Sequence, residues 1–435
     1  MVERSGFLRG ALRPLRGNIA VFSLTDLTGN FCRSMVFPYA SLYILALGGD
    51  ATQVGIVNAV APLAGLLVFP IGGYLADHAS RVRLIVLSMV LGGVIGLVFV
   101  FAPSWEAIAA AGLLMGFMAI QFPAYSALIA DSLEPRERGK GIALMNTITS
   151  SLAIFGPYVA GVAIAAYGAD HGMRILYAAM AGANFLGAAI QVRLLKEPAR
   201  ATREGVHLSD LPTILRQSYA GIPAMLRRFP VSLRALAGVI VLSFAANAVA
   251  GPFWVVYALE QIRLSPVEWG LILLVESAVK LFTFMPAGVL VDRWGRTASL
   301  VAALCLSLVA LPLFVLATSF VAVLLIRIVA AVAFTIAIPA STALMADLVP
   351  RETRGRVMAA IGQGGIMLGS TGGGTGGPAV GYVITVPLIV CSLLGGYLYT
   401  LNPAYPWLFV LVTTVLSIVL AALFVRDPGP ERAEA

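Results

Sequence analysis

The 435-residue chain is 59% apolar and only 11% charged, with a mean hydropathy of +0.92. Soluble domains carry about 25% charged residues, so a soluble enzyme or binding module is excluded and a chain that crosses a membrane many times is expected. The formal charge of +8 and the pI near 9.6 come from short basic blocks between apolar runs, which is a membrane-topology pattern and not a nucleic-acid-binding one.

Residues 1–17 carry Arg4, Arg9, Arg13 and Arg16 among proline and glycine breaks and read as a basic amphipathic lead-in at the lipid surface. Apolar runs of membrane-crossing length follow at 18–47, 53–76, 84–102, 107–130, 140–167 and 174–195. The pattern lapses across 196–233, which reads as a solvated connector with a short amphipathic helix at 211–226. Six further runs occupy 235–258, 267–290, 298–318, 320–346, 379–400 and 406–425. The expected organisation is a unit at 1–195, a connector at 196–233 and a second unit at 234–435.

Of the 29 Lys and Arg, Arg33, Lys280 and Arg327 are embedded, and only Arg174 and Arg263 fall in loops on one side. The other 24 flank the opposite side, so the positive-inside rule places both termini in the cytoplasm of a multi-pass cell-membrane protein. Cys32, Cys305 and Cys391 each sit inside an apolar run and read as small core residues.

The chain repeats itself. Gly73-Tyr-Leu-Ala-Asp77-His-Ala-Ser-Arg81 returns as Gly288-Val-Leu-Val-Asp292-Arg-Trp-Gly-Arg296, an offset of 215. Pro123-Ala-Tyr-Ser-Ala-Leu-Ile-Ala-Asp131 returns as Pro339-Ala-Ser-Thr-Ala-Leu-Met-Ala-Asp347, an offset of 216. Each Asp is followed by Pro-Arg-Glu and then by Arg138-Gly139 or Arg354-Gly355. Two segments at offsets that differ by a single residue indicate a tandem duplication, an internal symmetry built into many secondary transporters.

The Gly-x-Leu-x-Asp-Arg-x-Gly-Arg pattern of the second copy resembles the loop between helices two and three of the major facilitator superfamily. The first copy carries His78 for the basic residue and Ser80 for the glycine. The resemblance implies an all-α membrane protein with twelve transmembrane helices in two pseudo-symmetric six-helix bundles, nearest to drug and solute efflux members. It also implies a conformational latch built from Asp77, Arg81, Asp131, Arg138, Asp292, Arg296, Asp347 and Arg354. In that latch Asp77 meets the start of helix 11 and Asp292 meets the start of helix 5. Gly156-Pro157-x-x-Ala160-Gly161 resembles the superfamily's antiporter motif, although a small-residue packing seam explains it equally well.

The halves differ at one place. Aligning Ala160-Gly161 with Gly395-Gly396 leaves 19 extra residues in the second half, around the run Gly369-Ser-Thr-Gly-Gly-Gly-Thr-Gly-Gly-Pro378. So many glycines disfavour a lipid-facing helix. The reading is a helical piece at 356–367 on the cytoplasmic face and then a plain glycine linker, the insertion as a whole lying at about 356–378. The run lacks the Gly-Lys-Ser/Thr ending of a phosphate-binding loop.

Ionisable groups inside hydrocarbon each cost about 2.5–3.5 kcal/mol on insertion scales, so they point to function. Asp26, Asn30, Arg33 and Phe37 share one face of the first helix. Glu276 and Lys280 form an i, i+4 pair, and the placement of Arg327 resembles the helix-4 arginine of proton-linked antiporters, while helix 4 itself has Ala111 there. With Gln121, Asn146, Asn184 and Asn247, these residues are the expected substrate and proton cavity, against the plainer alternatives of self-neutralising pairs and helix–helix hydrogen bonds.

The three histidines lie in or beside loops, and no catalytic triad, carboxylate pair or metal spacing is present, so no enzyme activity, metal or cofactor is expected. The expected function is secondary active transport of a small molecule by alternating access, as proton-coupled export of lipophilic or amphipathic compounds. A facilitator or proton symporter for a polar organic solute is the alternative, and a non-transporting receptor or assembly protein on the same fold is a remote one. The expected partners are substrate, protons and membrane lipids, with no nucleic acid, and the chain is expected to act as a monomer.

Overall fold

The computed structural model describes residues 15–197, 213, 215–216, 222–349, 354–362, 364–371 and 381–427. The described residues contain helices and no strand. Nine apolar helical runs are long enough alone to cross a membrane. One of these, Arg138–Leu194, breaks at Gly168 (φ +79°) into two spans, so with the first two helices the count is twelve. We number them α1 to α12.

In the first bundle α1 comprises Asn18–Val36, a 3-10 turn at Phe37–Tyr39, and Ala40–Ala46. Next come α2 (Ala51–His78), α3 (Arg81–Val100) and α4 (Trp105–Phe117, a 3-10 turn, then Gln121–Asp131). The helix α5 starts at Arg138–Ser151 and continues through a 3-10 turn to 167, and α6 covers 169–194. In the second bundle α7 runs Val231–Ala250 and on to Trp254–Glu260, followed by α8 (Pro266–Trp294), α9 (Arg296–Leu313 and a 3-10 turn) and α10 (Phe320–Leu348). The last two are α11 (Tyr382–Leu401) and α12 (Tyr405–Phe424). The start of α1 and the end of α12 lie on one face, called here the terminal face; the opposite face is the far face.

Local chemistry explains where the helices begin. On the far face α2 and α8 each open with a capping box, Asp50 with Gln53 and Ser265 with Glu268. Each box satisfies backbone donors that hydrocarbon cannot. On the terminal face the repeated loop turns differently in its two copies. Gly295 takes φ +89°, a left-handed value that favours glycine. Ser80, in its place, takes φ −69° and caps α3 by accepting from Arg83 N at 3.2 Å.

A carboxylate just after each bundle completes these turns. Glu197 accepts from Ser80 Oγ at 2.6 Å and from the backbone N–H groups of Arg81 and Val82. Asp427 accepts from the N–H and hydroxyl of Thr297 at 3.0 and 2.9 Å. A negative group at a helix N-terminus is worth about 0.3–1 kcal/mol.

The apolar core falls into three parts whose placement defines the shape. The largest joins both bundles in the far half, with Tyr39 and Tyr43 of α1 in one cluster with Trp254, Trp269, Phe314 and Trp407. The other two lie in the terminal half, one confined to each bundle. Backbones meet closely in the far half as well. A Cβ on Gly55 would lie 2.6 Å from Ser392 O, and one on Gly161 would lie 2.3 Å from Pro266 O. Tyr39 donates to the carbonyls of Pro157 and Pro266 at 3.0 and 3.1 Å, and Thr52 meets Thr400 at 3.1 Å. Among the described residues, the far half is sealed by contacts between the bundles, and the terminal-half clusters each stay within their own bundle.

The insertion departs from the linker expected of it. The short helix ends at Ile361, and 364–371 enters the second bundle as extended chain. Gly364 packs on Met345 and Ser341, Met367 N donates to Ser243 Oγ at 3.2 Å, and Gly369 reaches Leu311 and Ala330. From Ser341 to Ala330 is about 16 Å along α10, close to the ~17 Å reach of five extended residues. Ile366 and Leu368 supply apolar packing, and left-handed φ at Gly362, Gly364 and Gly369 permits the path. The expected lead-in at 1–14, most of the connector and 372–380 lie outside the described residues. Cys32 is buried as expected, whereas Cys305 is exposed on the outside of α9, where an apolar side chain suits lipid as well as core.

Candidate functional site

The polar face of α1 opens into a cavity of about 190 Å³ within the first bundle. Asp26, Asn30 and Arg33 line one side, Gln121, Phe122 and Tyr125 of α4 another, with Asn146 and Thr149 of α5 and Asn184 and Gln191 of α6 completing it. Met89, Met118 and Met145 give it a soft apolar wall.

Two charged groups in this cavity have different partners. The Tyr125 hydroxyl donates to Asp26 Oδ2. Arg33 Nη2 donates to Asn30 Oδ1 at 2.6 Å, and its side chain folds back over Gly29. Arg33 is exposed at mid-span, and no described carboxylate pairs with it. Thr25 and Gln191 cross-link α1 and α6 beside the site at 2.9 Å.

The second bundle carries a separate charged cluster. Glu276 bonds Lys280 Nζ at 2.6 Å and, from its other oxygen, Arg327 Nε at 2.8 Å. Arg327 is fully buried, stacks on Trp254 at 4.7 Å, and donates from Nη1 to Gly369 O at 2.8 Å. Lys280 lies 4.6 Å from the Phe334 ring. Breaking a buried pair of this kind costs about 3–5 kcal/mol, because the remaining charge is stranded. Asn247 is also in this bundle, beside Gly369 and away from the first cavity.

The structure therefore splits the expected cavity residues into two groups. Asp26, Asn30, Arg33, Gln121, Asn146 and Asn184 come together, while Glu276, Lys280, Arg327 and Asn247 sit in the other bundle. Arg327 is held by Glu276 and a backbone carbonyl, not at the lipid interface. Sequence reasoning missed Tyr125, although it sits one turn beyond Gln121 on the same helix face. It also missed Gly369, for which the signal was a buried arginine with more donors than one carboxylate can accept.

Four of the expected latch residues pair within their bundles. Arg81 Nη1 meets Asp131 Oδ2 at 2.5 Å, tying the start of α3 to the end of α4, and Arg296 meets Asp347 in the equivalent place. Arg138 Nε donates to Ala130 O at 3.0 Å in its own bundle, and Asp292 is exposed and does not meet it. Asp77 is exposed in the last turn of α2, and Arg354 begins the short helix.

Comparison with known proteins agrees with this architecture. The profile of the Major Facilitator Superfamily matches residues 24–240 and again 236–435. The chain is 25% identical over 172 residues to the quinolone resistance protein NorA of Staphylococcus aureus strain MRSA252, covering 39% of this chain and 43% of that one. It is 31% identical over 162 residues to a multi-drug resistance efflux pump PmrA homolog of Lactococcus lactis subsp. lactis strain IL1403, covering 35% and 39%. The chain thus matches about two-fifths of the length of these curated relatives. Among solved structures, a bacterial homolog of the human lysosomal transporter Spinster, inward-facing and occupied, aligns at TM-score 0.65 and 14% identity over 94% of this chain and 98% of that one. The nucleoside transporter NupG aligns at TM-score 0.60 and 14% identity over 93% and 98%. At these identities the solved structures speak for the fold alone.

Proposed function

The chain belongs to the major facilitator superfamily, a family of membrane transporters, and on that basis we propose that it exports lipophilic or amphipathic compounds in exchange for protons. The observation that carries the reading is the cavity around Asp26, reachable from the terminal face while the far half is sealed. Taking the basic terminal face as cytoplasmic, this is a state that loads substrate from inside the cell. Rocking of the bundles about the far-half contacts then exposes the cavity outside. Asp26, with Tyr125 on its carboxylate, is the proton site, and Arg33 and the cavity amides bind substrate. The efflux relatives support the direction.

The alternative is a facilitator or proton symporter for a polar solute, favoured by the amides of Asn30, Gln121, Asn146, Asn184 and Gln191 in one cavity. Purified protein in liposomes, assayed with dyes and polar solutes with and without a proton gradient, separates the two. Gradient-driven accumulation of amphipathic dyes supports export. Gradient-independent equilibration of polar solutes alone overturns it.

A further inference from the structure

Beyond its first cavity, the first bundle holds a second, mostly apolar one further along α1, α4 and α6, with α2 in place of α5. Phe37 and Ile44 of α1, Val57 and Asn58 of α2, Met115 of α4 and Tyr177 of α6 line it, around a volume of about 110 Å³. The two cavities adjoin along α1, where Arg33 is followed by Phe37, and along α4, where Met118 is preceded by Met115. Because the Arg33 guanidinium folds back over Gly29, eight residues, or ~12 Å, separate its level from Phe37.

Charge decides what belongs beside Arg33. Asp26 is engaged by Tyr125, and the described carboxylates leave Arg33 unpaired in an accessible cavity. Across the way, Glu276 is shared by Lys280 and Arg327, so that cluster is net positive, whereas the first cavity holds one carboxylate and one guanidinium. The embedded groups thus number three cations against two carboxylates, and an unpaired guanidinium in low dielectric binds an anion far better than a cation. Among the described residues the second bundle's cavity beside Gly369 holds only about 20 Å³, since 364–371 packs along α10.

We propose, building on the transport reading above, that the substrate is an amphipathic organic anion held mainly by the first bundle. Its carboxylate, sulfonate or phosphate end lies on Arg33, and its apolar body spans about 12 Å along α1 to reach the cavity of Phe37 and Tyr177. Asp26 lines the same cavity and feels the charge of Arg33, so the proton and the anion are held by neighbouring groups.

The test uses full-length protein in nanodiscs, with protein-free nanodiscs as blank. Three probes share one ring system: 8-anilinonaphthalene-1-sulfonate, neutral N-phenyl-1-naphthylamine, and a trimethylammonium-substituted analogue. The sulfonate is expected to bind saturably and more tightly than the cation. Arg33→Gln should weaken the sulfonate about tenfold or more and leave the neutral probe unchanged, and Arg33→Lys should keep most of the affinity. Phe37→Ala should weaken the sulfonate and neutral probes alike. Cation binding as tight as the sulfonate, equal losses for all three probes in Arg33→Gln, or no saturable binding of any probe overturns the proposal. Flux of the same probes in liposomes separates it from the transport reading. Sulfonate binding through Arg33 without gradient-driven flux defeats export alone, and gradient-driven flux indifferent to Arg33 defeats the anion site alone.

Discussion

Arg327 Nη1 donates to the backbone carbonyl of Gly369 at 2.8 Å, joining an embedded arginine to a segment that has no counterpart in the first half of the chain. The same guanidinium bonds Glu276, so one buried side chain ties α8, α10 and the inserted segment together. A guanidinium has five donors and a carboxylate cannot satisfy them all, so the carbonyl offsets part of the cost of burying the charge.

That relationship makes the glycines of the insertion unequal. Gly369 takes φ +61°, but a Cβ there would meet only the end of the Leu311 side chain, at 2.7 Å. Gly364 takes φ +85°, and its Cβ would meet Met345 Cβ at 2.6 Å and the Ser341 carbonyl at 3.1 Å. Gly369→Ala should therefore cost about 1–2 kcal/mol from backbone strain alone, because a leucine tip can swing aside. Gly364→Ala should cost more. Thermal unfolding of both variants in detergent checks this, and the reverse order, or no loss in either, contradicts the packed path of 364–371.

The Glu276 cluster should behave as a unit. Glu276→Gln strands Arg327 and Lys280 and should destabilise by about 3–5 kcal/mol. Adding Arg327→Met should recover part of that loss, since the stranded charge is then gone. A double-mutant cycle on unfolding temperature measures the coupling, and additive effects of the two changes would show that the pair is energetically idle.

Much of this arrangement could be read from the chain before any coordinates. The twelve spans followed from apolar run length, and the duplication from two segments at offsets that differ by a single residue. The shared face of Asp26, Asn30 and Arg33 followed from helical spacing. Three features stayed hidden for physical reasons. The path of 364–371 has neither helical nor strand periodicity, so its burial left no pattern. Tyr125 passes for an ordinary aromatic in an apolar helix until its hydroxyl is seen on Asp26. Glu197 and Asp427 sit in Lys-Glu-Pro and Arg-Asp-Pro sequences after the two bundles, a repeat visible only once both are known to cap α3 and α9.

Orientation gives a direct test. A reporter fused after Ala435, or inserted near Thr202, should be cytoplasmic, because the basic loops hold that face inside. An external signal from either fusion overturns both the topology and the loading direction.

Coupling should depend on Asp26 and be tuned by Tyr125. Asp26→Asn removes the titrating group, so gradient-driven transport should stop while counterflow exchange of unlabelled for labelled substrate persists. Tyr125→Phe removes the hydrogen bond that the hydroxyl donates to the carboxylate, so gradient-driven transport should be slowed but not abolished. Asp26→Asn should flatten the pH profile of transport. An unaltered profile in Asp26→Asn removes Asp26 from the mechanism.

The repeated loop yields the last prediction. In the present state Arg138 bonds the carbonyl of Ala130 and Asp292 is exposed, so the two do not meet. The intrabundle pairs Arg81–Asp131 and Arg296–Asp347 hold the ends of α4 and α10 fixed while the faces stand apart. When the terminal face closes, Asp292 at the end of α8 is expected to reach the start of α5. There the helix dipole and Arg138 both favour a carboxylate, by about 0.3–1 kcal/mol for the dipole and more with a charge-assisted bond. Contacts made only in the closed state shift the equilibrium by their own free energy. Asp292→Asn should therefore favour the terminal-open state described here. The readout is thiol labelling of Asn146→Cys, an exposed cavity position on α5, in a background with Cys32, Cys305 and Cys391 replaced. Faster labelling per folded molecule is expected, with a smaller effect for Asp77→Asn. The first copy has lost its glycine, and the helix start that Asp77 is expected to meet carries the insertion. If the two aspartates merely cap their turns, less folded protein will be recovered and labelling per molecule will not change. Equal labelling in the parent and both variants would leave the loop a turn and not a latch.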